Sequence, residues 1–113
     1  MKTSTDYWRS VVDILRITHC CCRVKWSQSP EPTEWEPWLI VPTEGCIETG
    51  SLGPIPVSEV DWVEIDVTEL QELGRLVAPR KVDHTSELIR HFEHHGVSFQ
   101  KVDCGFRVLP QAA

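Results

Sequence analysis

No lysine or arginine occurs between Trp26 and Gly74. Local charge balance is therefore excluded, because the same stretch holds eleven acids: Glu31, Glu34, Glu36, Glu44, Glu48, Glu59, Asp61, Glu64, Asp66, Glu69 and Glu72. No run approaches the ~20 apolar residues of a membrane span, so no membrane partner is expected. The polar start, Met1-Lys2-Thr3-Ser4-Thr5-Asp6, lacks the apolar stretch of a secretion signal, and a cytoplasmic location is the expectation. There is no C-x-x-C pair. Five cysteines, odd in number and with Cys20, Cys21 and Cys22 consecutive, do not make a disulfide framework and fit reduced thiols. No Gly-rich nucleophile turn, phosphate loop or paired-acid motif is present, so no catalytic residue is assigned and no enzyme is expected. A net charge of −6 argues against a nucleic-acid partner, since phosphate affinity depends on Lys and Arg.

What is present is a segregated charge. The flanks carry all eleven basic residues and six acids, a balance of +5 against −11 for the middle. Four of the five tryptophans, Trp26, Trp35, Trp38 and Trp62, lie in that acidic middle. Such a distribution concentrates a negative field and attracts basic partners. At 113 residues, with 41% apolar and 25% charged side chains, the chain is expected to form one domain over 1–113.

Periodicity assigns the elements. Trp8, Val11, Val12 and Leu15 recur at helical spacing, predicting a helix over Asp6 to Thr18 with Thr5 as its N-cap. Cys20 to Trp26 alternates as a strand, with Arg23 and Lys25 on its polar side. Ser27 to Pro37 is a Pro-rich loop, and Trp38 to Val41 a short strand that pairs with Cys46 to Thr49. Gly50 to Ser58, with two glycines and two prolines, is expected to be loop. Val60 to Val67 is the strongest strand, with Val63, Ile65 and Val67 on one face and Trp62, Glu64 and Asp66 on the other. Thr68 to Leu73 is predicted as a helical turn stopped by Gly74, and Arg75 to Val82 as irregular. Asp83 caps a second helix over His84 to His95, ended by Gly96. Val97 to Val102 and Phe106 to Leu109 form a hairpin. The expected fold is α+β, an antiparallel sheet of about five strands with two helices packed on one face.

The motifs Trp62-Val63-Glu64-Ile65-Asp66, Val82-Asp83-His84-Thr85 and Gly105-Phe106-Arg107-Val108, with Tyr7-Trp8 opening the first helix, resemble a small uncharacterised bacterial family, a stand-alone domain of unknown function. The resemblance implies a bacterial, cytosolic protein and carries over no catalytic residues. Leu109-Pro110-Gln111 stands where that pattern has a Gly-aromatic pair.

The candidate partner-binding residues are Glu31, Glu34, Trp35, Glu36, Trp38, Trp62, Glu64 and Asp66. Aromatic side chains anchor interfaces and charges steer association. The function they imply is a non-enzymatic immunity protein that neutralises a basic, nuclease-like toxin domain by contact, itself a monomer or homodimer and without a cofactor. Buried core tryptophans and solvated acids are the plainer explanation of the same residues. One alternative is a small zinc domain using Cys20, Cys22 and histidines, with Cys46 or Cys104 completing the set. The C-x-C spacing does not match known knuckles. Another is a self-associating structural protein. His91, His94 and His95, with Glu93 and His84, suit a helix C-terminus and sensitivity near pH ~6. A Cys–His nucleophile pair built from Cys20, Cys21 or Cys22 is the weakest reading.

Overall fold

The structure, a computed structural model, describes residues 3–111. Met1, Lys2, Ala112 and Ala113 lie outside the described residues, and with them part of the polar start. Helix α1 spans Ser4–Thr18. Its cap is Thr3 rather than Thr5. Thr3 Oγ1 accepts from Asp6 N–H (3.0 Å) and Asp6 Oδ2 accepts from Thr3 N–H (3.4 Å), a reciprocal box that satisfies two free amides. Thr5 is buried instead, and its hydroxyl accepts from Gly45 N–H at 2.9 Å. Tyr7, Trp8, Val11, Ile14 and Leu15 all face the core.

Strand β1 spans Cys22–Trp26, β4 Val60–Asp66, β7 Phe99–Val102 and β8 Gly105–Val108. They form one antiparallel sheet in the order β1-β4-β8-β7. Cys22, Val24, Val63, Ile65, Phe106 and Val108 point to one face, where α1 and helix α2 (Thr85–His95) cover them. On α2, Leu88 and Phe92 are buried, and Phe92 meets Phe99 and Phe106 with ring centroids 4.8 and 5.5 Å apart. The α+β class holds, with both helices on one face. The sheet has four strands rather than about five, joined by two separate two-stranded ribbons.

The first ribbon pairs β2 (Cys46–Thr49) with β3 (Leu52–Pro56). β3 lies in the stretch predicted as loop. Its prolines are tolerated because a ribbon strand has a free edge. Trp38 to Val41 makes only an isolated bridge, Ile40 with Glu48, through two 3.0 Å hydrogen bonds. Pro37 and Pro42 close off any longer ladder there. The second ribbon pairs β5 (Thr68–Gln71) with β6 (Arg80–Asp83), where a helical turn and an irregular stretch were expected. Four residues do not separate the two periods, and the partner that decides the matter arrives only at Arg80. Helix α2 starts at Thr85. Asp83 still serves its first turn, accepting from Thr85 N–H at 2.8 Å.

Two local features lead to tests. Gly105 begins β8 so close to β4 that an added Cβ would lie 2.3 Å from the Ile65 carbonyl oxygen. Gly105→Ala is expected to pry the strands apart and cost about 1–3 kcal/mol, measured by urea unfolding. His84 ties the β5–β6 arm to α2: Nε2 lies 2.8 Å from Glu69 Oε1 and Nδ1 3.0 Å from Glu87 Oε2. Burial lowers its proton affinity, but the bonds to the two carboxylates outweigh this and hold its pKa above the ordinary 6.5. The bond to His84 in turn holds the Glu69 carboxyl below its ordinary 4.5. A raised histidine pKa contributes stability that is complete below 6.5 and lost as pH climbs through the folded value. A depressed carboxylate contributes stability present above 4.5 and lost as pH falls through its folded value. The clamp is therefore strongest at mildly acid pH. Melting temperature is expected to fall as pH rises above His84's ordinary 6.5, with a flatter slope in His84→Ala.

Candidate protein-binding face

The face of the four-stranded sheet away from the helices is built by alternation. Arg23, Glu64 and Arg107 stand opposite one another on β1, β4 and β8, one row across the sheet. Each sits between residues that point into the core, so all three point out. Glu64, at the centre, is buried, its side chain 2% exposed. One carboxylate oxygen, Oε1, accepts from Arg23 Nε at 2.8 Å and Nη2 at 2.7 Å. The other, Oε2, accepts from Arg107 Nε at 3.0 Å and Nη2 at 2.7 Å. Charge-assisted hydrogen bonds of this kind are stronger than those between neutral groups.

Two indoles cap the row. The Arg23 guanidinium lies 4.6 Å from the Trp35 ring centroid, and that of Arg107 lies 4.5 Å from the Trp62 ring. Trp62 reaches Arg107 along the diagonal between paired strands. Trp35 reaches Arg23 because the Pro-rich loop runs beside β1. Thr33 N–H donates to Val24 O (2.9 Å), and Glu36 and Cys22 exchange bonds of 2.6 and 2.9 Å. The result is a chain of contacts, each indole over a guanidinium and each guanidinium bonded to the central carboxylate, with both indoles half-buried. At one end of β4, Lys25 pairs with Asp61 at 3.0 Å. At the other, Asp66 Oδ1 accepts from Thr68 N–H at 2.9 Å.

The eight residues singled out from the sequence divide. Trp35, Trp62 and Glu64 meet on this face, with Asp66 farther along β4. Glu31 and Glu34 are exposed on the loop that leads to Trp35. Glu36 and Trp38 lie elsewhere, beside Gly50 in the β2–β3 turn. Trp38 lines a groove against α1. Glu64 is a correction. It is not an exposed acid, and Glu64→Lys would not leave the fold intact, because a third cation would then face Arg23 and Arg107. Arg23 and Arg107 belong to the site as well, although the acidic and aromatic pattern of the middle does not point to them. Their signal in the sequence is that each occupies an outward strand position between two apolar residues, Arg23 between Cys22 and Val24 and Arg107 between Phe106 and Val108.

Burial disfavours the thiolate form of Cys20, Cys21, Cys22 and Cys104. Burial pushes Cys20 up to about 11 and Cys22 up to about 12. It raises Cys21 and Cys104 as well. Among the described residues no group of three His, Cys, Asp or Glu side chains is placed to hold a metal ion.

A model of a family of unknown function, DUF6678, matches residues 5–110. The chain belongs to that family. The match runs from the first turn of α1 to just past β8 and so takes in the whole sheet, the arm and both helices. The motifs behind the sequence resemblance fall on β4, on the β6–α2 junction around His84, and on β8. Two of the three thus carry members of the Glu64 row. Neither curated proteins nor solved structures gave a match. Among the described residues no helix is long and apolar enough to cross a membrane.

Proposed function

We propose that this chain is a non-enzymatic binding protein whose outer sheet face docks a basic protein partner, as an immunity protein docks a nuclease-like toxin domain. The observation that carries this reading is the pair of half-buried indoles, Trp35 and Trp62, each packed against an arginine on a helix-free face. Interfaces are anchored by such aromatic side chains, and anchors that are ordered beforehand lose little entropy on binding. Glu64 is matched within the face and serves to fix the arginines beneath the indoles. The steering charge then falls to the exposed Glu31 and Glu34 and to the overall −6. A toxin that grips phosphates is basic and fits that field. The protonated thiols are consistent with a role without covalent chemistry.

The test is co-purification from the native host, or with the product of the adjacent gene. A basic protein retained at low salt and released at high salt supports the reading. Retrieval of no basic protein overturns it.

A further inference from the structure

The strands of the β5–β6 arm bond to each other in a ribbon separate from the main sheet. Leu70 on the arm, and Leu73, Leu76 and Val77 in its turn, are exposed rather than packed on the core. At the base of the arm His84 N–H donates to Val67 O at 2.8 Å, which holds its two chain ends side by side as a hinge. Behind the arm lies a cleft of about 490 Å³. His19, Cys21 and Asp66 line it from the body, and Thr68, Glu69, Leu70 and Lys81 from the arm.

The buried His84 ring joins this arm to the body, with Glu69 of β5 on Nε2 and Glu87 of α2 on Nδ1. A carboxylate oxygen can only accept, so both ring nitrogens must donate, and an imidazole with two N–H groups is the cation. Neutral histidine has a single N–H. Its other nitrogen would turn a lone pair on a carboxylate, and one of the two bonds must break. Other charged and titratable groups surround the ring. Asp83 of β6 accepts from Thr85 N–H and has Lys101 of β7 nearby. His91 of α2 lies 3.9 Å from Glu87, and His19, at the end of α1, acts on Glu69. Cys20 is buried within the field of Glu69, Asp66 and Glu87, and so behind the bonds that His84 makes.

We propose that the β5–β6 arm is a flap latched shut by the imidazolium of His84, and that loss of this proton lets it swing out on its hinge and uncover Cys20 and the floor of the cleft. The attraction between His84 and Glu69 leaves with the proton, and the exposed leucines of the arm offer no apolar packing in its place. The main sheet stays closed, because its four strands bond to one another and Cys22 lies in their core. The motion is thus a local opening, separate from global unfolding. Trp35 and Trp62 lie outside the arm and keep their places.

Hydrogen exchange of the full chain, read peptide by peptide and corrected for the intrinsic pH dependence of exchange, tests this. In the wild type, protection of β5 and β6 is expected to fall about tenfold or more as pH rises above 6.5, while that of β4 and β8 falls far less. Glu69→Gln supplies an amide that pairs with neutral histidine, so its arm should lose this pH dependence. His84→Ala should leave the arm open throughout. At one mildly acid pH, N-ethylmaleimide should then alkylate Cys20, relative to Cys22, about tenfold faster than in the wild type. The near-isosteric Glu69→Gln keeps the test decisive if His84→Ala fails to fold. Arm and sheet amides that lose protection together overturn the proposal, and so does a wild-type arm whose protection ignores pH. A Glu69→Gln arm with the full wild-type pH dependence overturns it too, as does Cys20 staying as slow as Cys22 in a folded His84→Ala.

Discussion

Replacing Arg23 and Arg107 together by alanine is expected to cost about 3–5 kcal/mol of folding stability, measured by urea unfolding with linear extrapolation. The reason is the asymmetry between making a buried ion pair and breaking one. Bringing Glu64 to 2% exposure removes it from water, and four N–H donors from two guanidiniums replace that water. With both guanidiniums gone, the carboxylate keeps its desolvation penalty and loses its compensation. Either single substitution leaves one fork in place and should cost clearly less than half of the double, because the remaining arginine still serves the charge. Removing the carboxylate is milder. The arginine side chains are 32% and 34% exposed, so Glu64→Gln returns two partly solvated cations to water. A double variant no less stable than the wild type would mean that Glu64 is hydrated in solution and that the row is not the centre of the sheet's outer face.

The second large effect concerns binding. Trp35→Ala and Trp62→Ala are each expected to weaken capture of the basic partner by about 2 kcal/mol or more, roughly thirtyfold, in calorimetric titration. The same substitutions remove one indole–guanidinium contact each, worth about 0.5–1 kcal/mol at a partly exposed site, so the fold should survive. Trp38→Ala is the contrasting case. Trp38 stands against α1 and the β2–β3 turn, away from this face, and should leave partner capture unchanged. If Trp35 and Trp62 proved dispensable for capture while Trp38 was required, the docking face would be on the helix side of the sheet.

Several features were legible from residue order alone, and they share a cause. Both helices, the strand Val60 to Val67, the alternation of β1 and the last hairpin follow from patterns repeated over at least four residues within one element. So does the outward direction of Trp62, Glu64 and Asp66. The charge segregation, −11 against +5, is a property of order and needs no coordinates. Membership in a family of unknown function was equally visible, because its motifs are contiguous.

What only the tertiary structure decided depends on residues far apart in the chain. Whether Thr68 to Gln71 is strand or helix rests on Arg80 to Asp83 arriving beside it. Whether Glu64 is a surface acid or a buried one rests on Arg23, 41 positions before it, and Arg107, 43 after it, closing over it from both sides. The four tryptophans of the acidic middle look alike in sequence, yet Trp35 and Trp62 share one face and Trp38 takes another. A local pattern sets which way a side chain points, but burial and pairing are set by what the sheet topology places next to it.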